Sequence, residues 1–231
     1  MGMFVENLKK EVRLEYMRPE QVSNEKENAP YIYVPFGAIE WHGYHNVLGL
    51  DALKAHEQLV ALASRTGGVV FPPVYFGAGG KHTNWDLTYI FKPEPMINLT
   101  FELLNKFDKQ NYQKVILLSG HYPNKNQFLE PAIRKYRDNG GEIKILSIIE
   151  NQIEGIKGDH AAKAETSFML YLHPSTVNME LLNTEQHNDF GKTDEIINYM
   201  SSVYKDHPCF GIVGPDPRNN ASVLLGEKYT E

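Results

Sequence analysis

The chain has 231 residues, 42% of them hydrophobic and 23% charged, a balance that predicts a single domain spanning residues 1–231 around one sizeable core. Its formal net charge is -6 and its lysines and arginines are scattered, so neither a nucleic-acid backbone nor an anionic membrane is an expected partner. The one cysteine, Cys209, has no internal disulfide partner, and no apolar run is long enough for a signal or a membrane span; a reducing cytoplasm is the expected location.

Short apolar runs alternate with longer amphipathic ones. "YIYVPF" (31–36) reads as a strand, and after the polar stretch "GAIEWHGYHNVLGLD" comes a helix, "DALKAHEQLVALASRTG", whose opening aspartate would cap it and whose end is glycine. "GVVFPPVYF" (68–76) reads as a second strand, "PMINLTFELLNKFDKQN" as a helix, and "KVILLS" (114–119) as a third strand. "NKNQFLEPAIRKYRDNGG" is a helix that Pro131 should perturb, "EIKILSII" (142–149) a fourth strand, and "ETSFMLYLHPSTVNM" a helix as far as Pro174. The third and fourth strands are apolar enough to be buried on both faces. After "ETSFMLYLHPSTVNM" the chain is richer in polar residues, glycine, proline and asparagine, with no internal repeat or linker that would mark a second domain. The alternation predicts an α/β domain with a mostly parallel sheet covered by helices.

In such sheets sites form beyond the carboxyl ends of strands, and there the chain concentrates its donors. Glu40, His42, His45 and Asp51 fall in one twelve-residue span after the first strand, His121 follows the third, and Asp159 and His160 come after the fourth. Carboxylates with neutral imidazoles are a ligand set for Zn²⁺ or Mn²⁺, and a carboxylate shared by two ions holds them close enough to clamp one water. Plainer readings stand beside this one. A single histidine is often a hydrogen-bonded core residue, Asp51 would serve as a helix cap, and "HAAKAETS" would be a helix start in which Glu165 satisfies backbone amides.

Three motifs together resemble the creatininase family of metal-dependent amidohydrolases: "EWHGYH" with an aspartate eleven residues after the glutamate, "SGHYPN" after a strand, and "HAAKAETS" opening a helix. The resemblance covers about residues 31–177. It implies a three-layer α/β/α fold and two divalent ions, zinc or manganese with iron a further candidate, joined by an aspartate and a bridging water or hydroxide. Matched residue by residue, Glu40 and His121 would hold one ion, His42 the other, and Asp51 both, with His45 as a neighbouring support. His160 matches the family's catalytic histidine, which gives the leaving group its proton, and Glu165 would orient it or hold the second ion. Tyr122, Gly79, His82 and Asp159 fall where substrate contacts are expected. The resemblance also implies a homo-oligomer, commonly a hexamer, acting on a small-molecule substrate.

Departures from the family pattern matter equally. Pro123 stands where a glutamate otherwise ligates the second ion, so that site loses a donor or completes its shell with Glu165 or water. Gly79 and Lys81 replace the usual serine and glutamate of the pocket loop, Asp86-Leu87-Thr88 replaces its proline-glycine-threonine, and "NVLGLD" alters the approach to the bridging aspartate. These changes imply a substrate other than the one that names the family. The expected reaction is hydrolysis of a C–N bond in an amide or lactam of a small polar metabolite. Two alternatives stay open: hydrolytic C–C ring opening of a diketo-inositol, and a metal-binding scaffold without turnover.

Overall fold

The structure is a computed structural model and describes residues 10–182 and 195–231. Helix α1 (Pro19–Asn28) begins at a proline, whose fixed φ suits a first helical turn, and leads into β1 (Tyr31–Phe36). Helix α2 (Leu50–Thr66) follows and stops at Gly67, whose positive φ ends it; then come β2 (Val69–Val70) and a two-stranded ribbon of β3 (Gly77–Ala78) and β4 (Ile90–Phe91). Helix α3 (Pro93–Lys109), β5 (Lys114–Ser119), α4 (Glu130–Asp138), β6 (Lys144–Ile149) and α5 (Lys163–Leu172) complete the central part. β7 (Ile196–Asn198) and β8 (Val213–Pro215) pair antiparallel, and α6 (Pro217–Asn220) and α7 (Val223–Thr230) close the chain.

The central sheet runs β2-β1-β5-β6, every pair parallel. Strand alternation divides its side chains between two helical layers. Ile32, Val34 and Phe36 of β1 with Val115 and Leu117 of β5 pack with Leu104 and Phe107 of α3, Tyr136 of α4, and Phe128. Tyr33 and Leu118 point the other way, onto Ala55, Leu59, Val60 and Ala63 of α2. This is the three-layer α/β/α arrangement with a parallel sheet, and α5 extends the second layer by packing between α2 and α7. No helix among the described residues is long and apolar enough to cross a membrane.

Several local expectations are corrected. The run 68–76 keeps only two residues of ladder, because Pro72 and Pro73 have no N–H to donate; Phe71 and Val74 still donate to Tyr33 and Pro35, at 2.8 and 2.9 Å. β6 is not buried on both faces. It is the outer strand, and Leu146 is 54% exposed where the α2 layer no longer reaches. Pro131 leaves its mark as one widened π-helical turn, Lys125–Leu129, after which α4 starts with the proline in its first turn. Asp51 is not the cap of α2: Gly49 holds that position, and Asp51 sits in the first turn with its carboxylate turned elsewhere.

Candidate metal centre

Two glycines bring the strand ends against α2. A Cβ on Gly37 would collide with the backbone of Ala52, and one on Gly120 with that of Asp51. The loop after β1, with Glu40 and His42, and the loop after β5, with His121, therefore meet the first turn of α2 at Asp51. Asn124 braces this junction, its side chain donating to the Gly37 carbonyl at 3.0 Å and accepting from the Ala78 N–H at 2.9 Å.

Glu40, His42, Asp51 and His121 are each no more than 3% exposed. Backbone carbonyls, which can only accept, decide the histidine tautomers. His42 Nδ1 lies 3.1 Å from the Glu40 carbonyl and His121 Nε2 lies 3.2 Å from the Gly79 carbonyl, so both nitrogens donate. In the neutral rings that leaves lone pairs on His42 Nε2 and His121 Nδ1, directed among carboxylates. His121 Nδ1 lies 2.9 Å from Glu40 Oε1 and 3.5 Å from Asp51 Oδ2. His42 Nε2 lies 3.2 Å from Asp51 Oδ1, 3.6 Å from Glu40 Oε1 and 3.7 Å from Glu165 Oε2.

A lone pair ringed by carboxylate oxygens is repulsive unless a proton or a metal cation stands between them. His42 Nε2 and Asp51 Oδ2 are fully buried and have no hydrogen-bond partner. Proton affinities report the same demand. Burial pushes His42 and His121 down, yet Asp51, Glu165 and Glu40 hold His42 up at about 9, and Glu40 and Asp51 hold His121 up at about 10. Burial likewise raises Glu40 and Asp51, but the neighbouring imidazoles keep Glu40 well below the usual carboxylate range and Asp51 at about 2. The residues fit a cationic metal site: anionic oxygens, correctly oriented imidazoles, and buried atoms otherwise left without partners.

Among the described residues three groups have ligand atoms within 4.8 Å of one another: Glu40, Asp51 and His121; His42, His160 and Glu165; and Glu40, His82 and His160. The first matches the donors expected at one ion. The second surrounds His42 with Glu165 instead of Pro123, which lines the neighbouring cavity without a donor. Asp51 links the two through His42. His82 Nε2 makes a short contact with Glu40 Oε2.

His160 stacks on His42 with ring centroids 4.7 Å apart, and its Nε2 donates to the Trp41 carbonyl at 2.9 Å, leaving Nδ1 free of that bond. Its backbone is clamped to Val213 by a pair of hydrogen bonds of 2.8 and 2.9 Å, so the C-terminal part of the chain helps to place it. Burial, then the charge on His42, pushes His160 down to about 4. Ala161, next in sequence, takes the left-handed conformation at φ 52°, about 1 kcal/mol of strain for a residue with a Cβ. Its N–H donates to Glu165 Oε2 at 2.7 Å.

Asp159 caps α5 from outside the usual position, accepting from the N–H groups of Ala164 at 2.6 Å and Glu165 at 3.2 Å. Burial, then the charge of Glu165, raises it to about 7. His45 belongs to none of the three groups; its Nε2 meets Thr166 Oγ1 at 2.9 Å and Asn46 at 3.0 Å, tying the loop after β1 to α5. A cavity of about 410 Å³ opens over the cluster, with Tyr122, His82, Asp159 and His160 in its wall. Gly79 is absent from that wall and contributes its carbonyl to His121, while Gly80 and Lys81 face the cavity.

Sequence reading missed Lys54 and Glu150. Lys54 is 0% exposed, its Nζ 2.7 Å from Glu165 Oε1 and 2.7 Å from Glu150 Oε2. Burial pushes Lys54 down, but Glu150 and Glu165 hold it well above the usual lysine value, so it stays charged. A signal was available: Lys54 lies three residues after Asp51 on a helix, hence on the same face.

The family model for creatininase, described as creatinine amidohydrolase, matches residues 15–231. The chain is similar to a creatinine amidohydrolase of Pseudomonas putida, 25% identical over 175 residues that cover 64% of this chain and 66% of that protein, just under two thirds of its length. It is also similar to a 3-dehydro-scyllo-inosose hydrolase of Thermotoga maritima, 23% identical over 223 residues that cover 89% of this chain and 70% of that protein. Its fold matches a crystal structure of creatinine amidohydrolase (creatininase) with a TM-score of 0.75 and 20% identity, over 96% of this chain and 93% of that one. A mutant creatininase at the same TM-score of 0.75 is described as of Zn-Zn type.

Proposed function

The protein belongs to the creatininase family, whose model covers residues 15–231, and from that membership we propose that it is a metal-dependent hydrolase cleaving a C–N bond, in an amide or lactam, of a small polar metabolite. One observation carries this reading: His42 Nε2 lies 3.2 Å from Asp51 at the base of a cavity of about 410 Å³, among carboxylates that call for positive charge at that point, a proton or a metal ion. In this reading Glu40, Asp51 and His121 hold one ion, while His42, Asp51 and Glu165 hold a second. The preferred metals are zinc and manganese, in keeping with the borderline-soft nitrogen and hard oxygen donors and the absence of cysteine from the group.

A divalent ion bound at these donors would supply a water of lowered pKa and a Lewis acid for the scissile carbonyl. The chain's own residues do the rest. Asp51 offers one oxygen toward each histidine and so fixes the separation of the two positions. The Glu40 and Gly79 carbonyls hold the histidine lone pairs inward. His160, anchored through Nε2 on Trp41, keeps Nδ1 open to take the proton that the attacking water gives up and pass it to the departing nitrogen. Tyr122, His82 and Asp159 border the space a small substrate would fill.

A second reading is hydrolytic C–C cleavage of a cyclic diketone, favoured by the similarity over 89% of this chain to the inosose hydrolase. The two are separated by product analysis of the zinc- or manganese-loaded protein with lactams, formamides, short amides and keto-inositols. Amine release supports C–N cleavage, and an open-chain keto acid supports C–C cleavage. Metal binding with no turnover across the panel would sink both in favour of a scaffold.

A further inference from the structure

We infer that Lys54 is a positioning residue that aims Glu165 at the ion beside His42, so that Glu165 serves where Pro123 offers no donor. The inference rests on the two-ion reading above and deepens it. Its basis is the division of labour between the two oxygens of one carboxylate. Glu165 Oε1 is held by Lys54 Nζ at 2.7 Å, whereas Oε2 accepts from the Ala161 N–H at 2.7 Å and lies 3.7 Å from His42 Nε2. With both oxygens pinned, the carboxylate has one orientation, and the oxygen nearest His42 keeps lone-pair capacity for a cation.

Lys54 is pinned in turn. Its ammonium meets Glu150 Oε2 at 2.7 Å and lies 5.3 Å from the centre of the Tyr122 ring, while Gln58 donates to Glu150 Oε1 at 2.6 Å. Lys54, Glu150 and Glu165 are all no more than 2% exposed. A buried ion trio is poor at adding stability, because desolvation offsets most of its mutual attraction. It is effective at setting geometry. Lys54 and Asp51 also share one face of α2, so the same helix supplies one donor of the cluster and the clamp on another.

The test uses the full chain, freed of metal by chelator and titrated with Mn²⁺ by calorimetry, with electron paramagnetic resonance to detect the spin coupling of two neighbouring Mn²⁺ ions. The wild type is expected to bind two ions and show the coupled signal. Lys54→Met is expected to keep the first ion's affinity, to weaken the second by about 10- to 100-fold, the usual effect of losing a partner that orients a ligand, and to lose the coupled signal. Lys54→Arg should restore both. Should Lys54→Met not fold, Lys54→Met/Glu150→Gln, which neutralises both buried partners, takes its place, and Lys54→Arg and Glu150→Gln remain to be titrated. Two ions bound at wild-type affinity by the methionine variants, or equal weakening of both ions, would overturn the positioning role. A wild-type chain that binds fewer than two ions would overturn the two-ion reading and this inference together.

Discussion

His160 and His42 lie ring on ring, 4.7 Å between centroids and 29° between planes, so the residue expected to move a proton stands directly beside one expected to hold a metal ion. Proximity alone does not separate the roles. The Trp41 carbonyl takes the Nε2 proton of His160 at 2.9 Å, which leaves one nitrogen for either task. His160→Ala is therefore expected to lower turnover of an identified substrate by roughly 10²- to 10⁴-fold while metal content stays nearly intact. Metal content falling in step with activity would instead make His160 a ligand.

Asp51 approaches both histidines, at 3.2 Å from His42 and 3.5 Å from His121. Asp51→Ala should remove metal from both positions, because it deletes the shared charge and leaves two dications to repel each other. Elemental analysis of protein purified without chelator measures this, and full metal content in the variant would refute the bridging assignment.

In the two-ion reading the position beside His42 would rely on Glu165, already engaged by Lys54 and the Ala161 N–H, because Pro123 borders the cavity without offering a donor, so the two positions are expected to be unequal. During stepwise chelation the ion beside His42 should leave first, followed by the one held by Glu40, Asp51 and His121. Pro123→Glu should slow the first loss. Simultaneous departure of both ions would count against the asymmetry.

Glu165 accepts from Ala161 and Lys54 and approaches His42, so its substitution discriminates between two roles. Glu165→Gln keeps the shape and removes the charge. It is expected to empty the position beside His42, with the other ion retained; normal metal content with lowered turnover would assign it to orienting His160 instead.

Gly120 passes so close to α2 that a methyl group there would strike the Asp51 backbone. Gly120→Ala should lower stability by about 1–3 kcal/mol through overpacking, and should also weaken metal binding because the displaced turn carries Asp51. Chemical denaturation and metal titration read the two effects. Wild-type values in both would show that the loop yields freely.

The alternation of apolar and amphipathic runs was enough for the sheet's main strands, the helical layers and the parallel pairing, since burial on a period of two or of 3.6 is written locally. The convergence of Glu40, His42, Asp51 and His121 was legible for the same reason: each follows a strand or opens a helix in a parallel sheet, and such ends gather at one edge. Tertiary contacts decided what local pattern does not carry. Whether Asp51 caps α2 or faces the cluster depends on Gly37 and Gly120, which let two strand ends reach its backbone. His45 turns to Thr166, a partner 121 residues away that only chain packing supplies. Leu146 is exposed because β6 ends the sheet, a matter of strand order rather than of its apolar sequence. Lys54 and Glu150 sit 96 residues apart and look like ordinary helix and loop charges until folding buries them together, because the energy of a charge is set by what surrounds it.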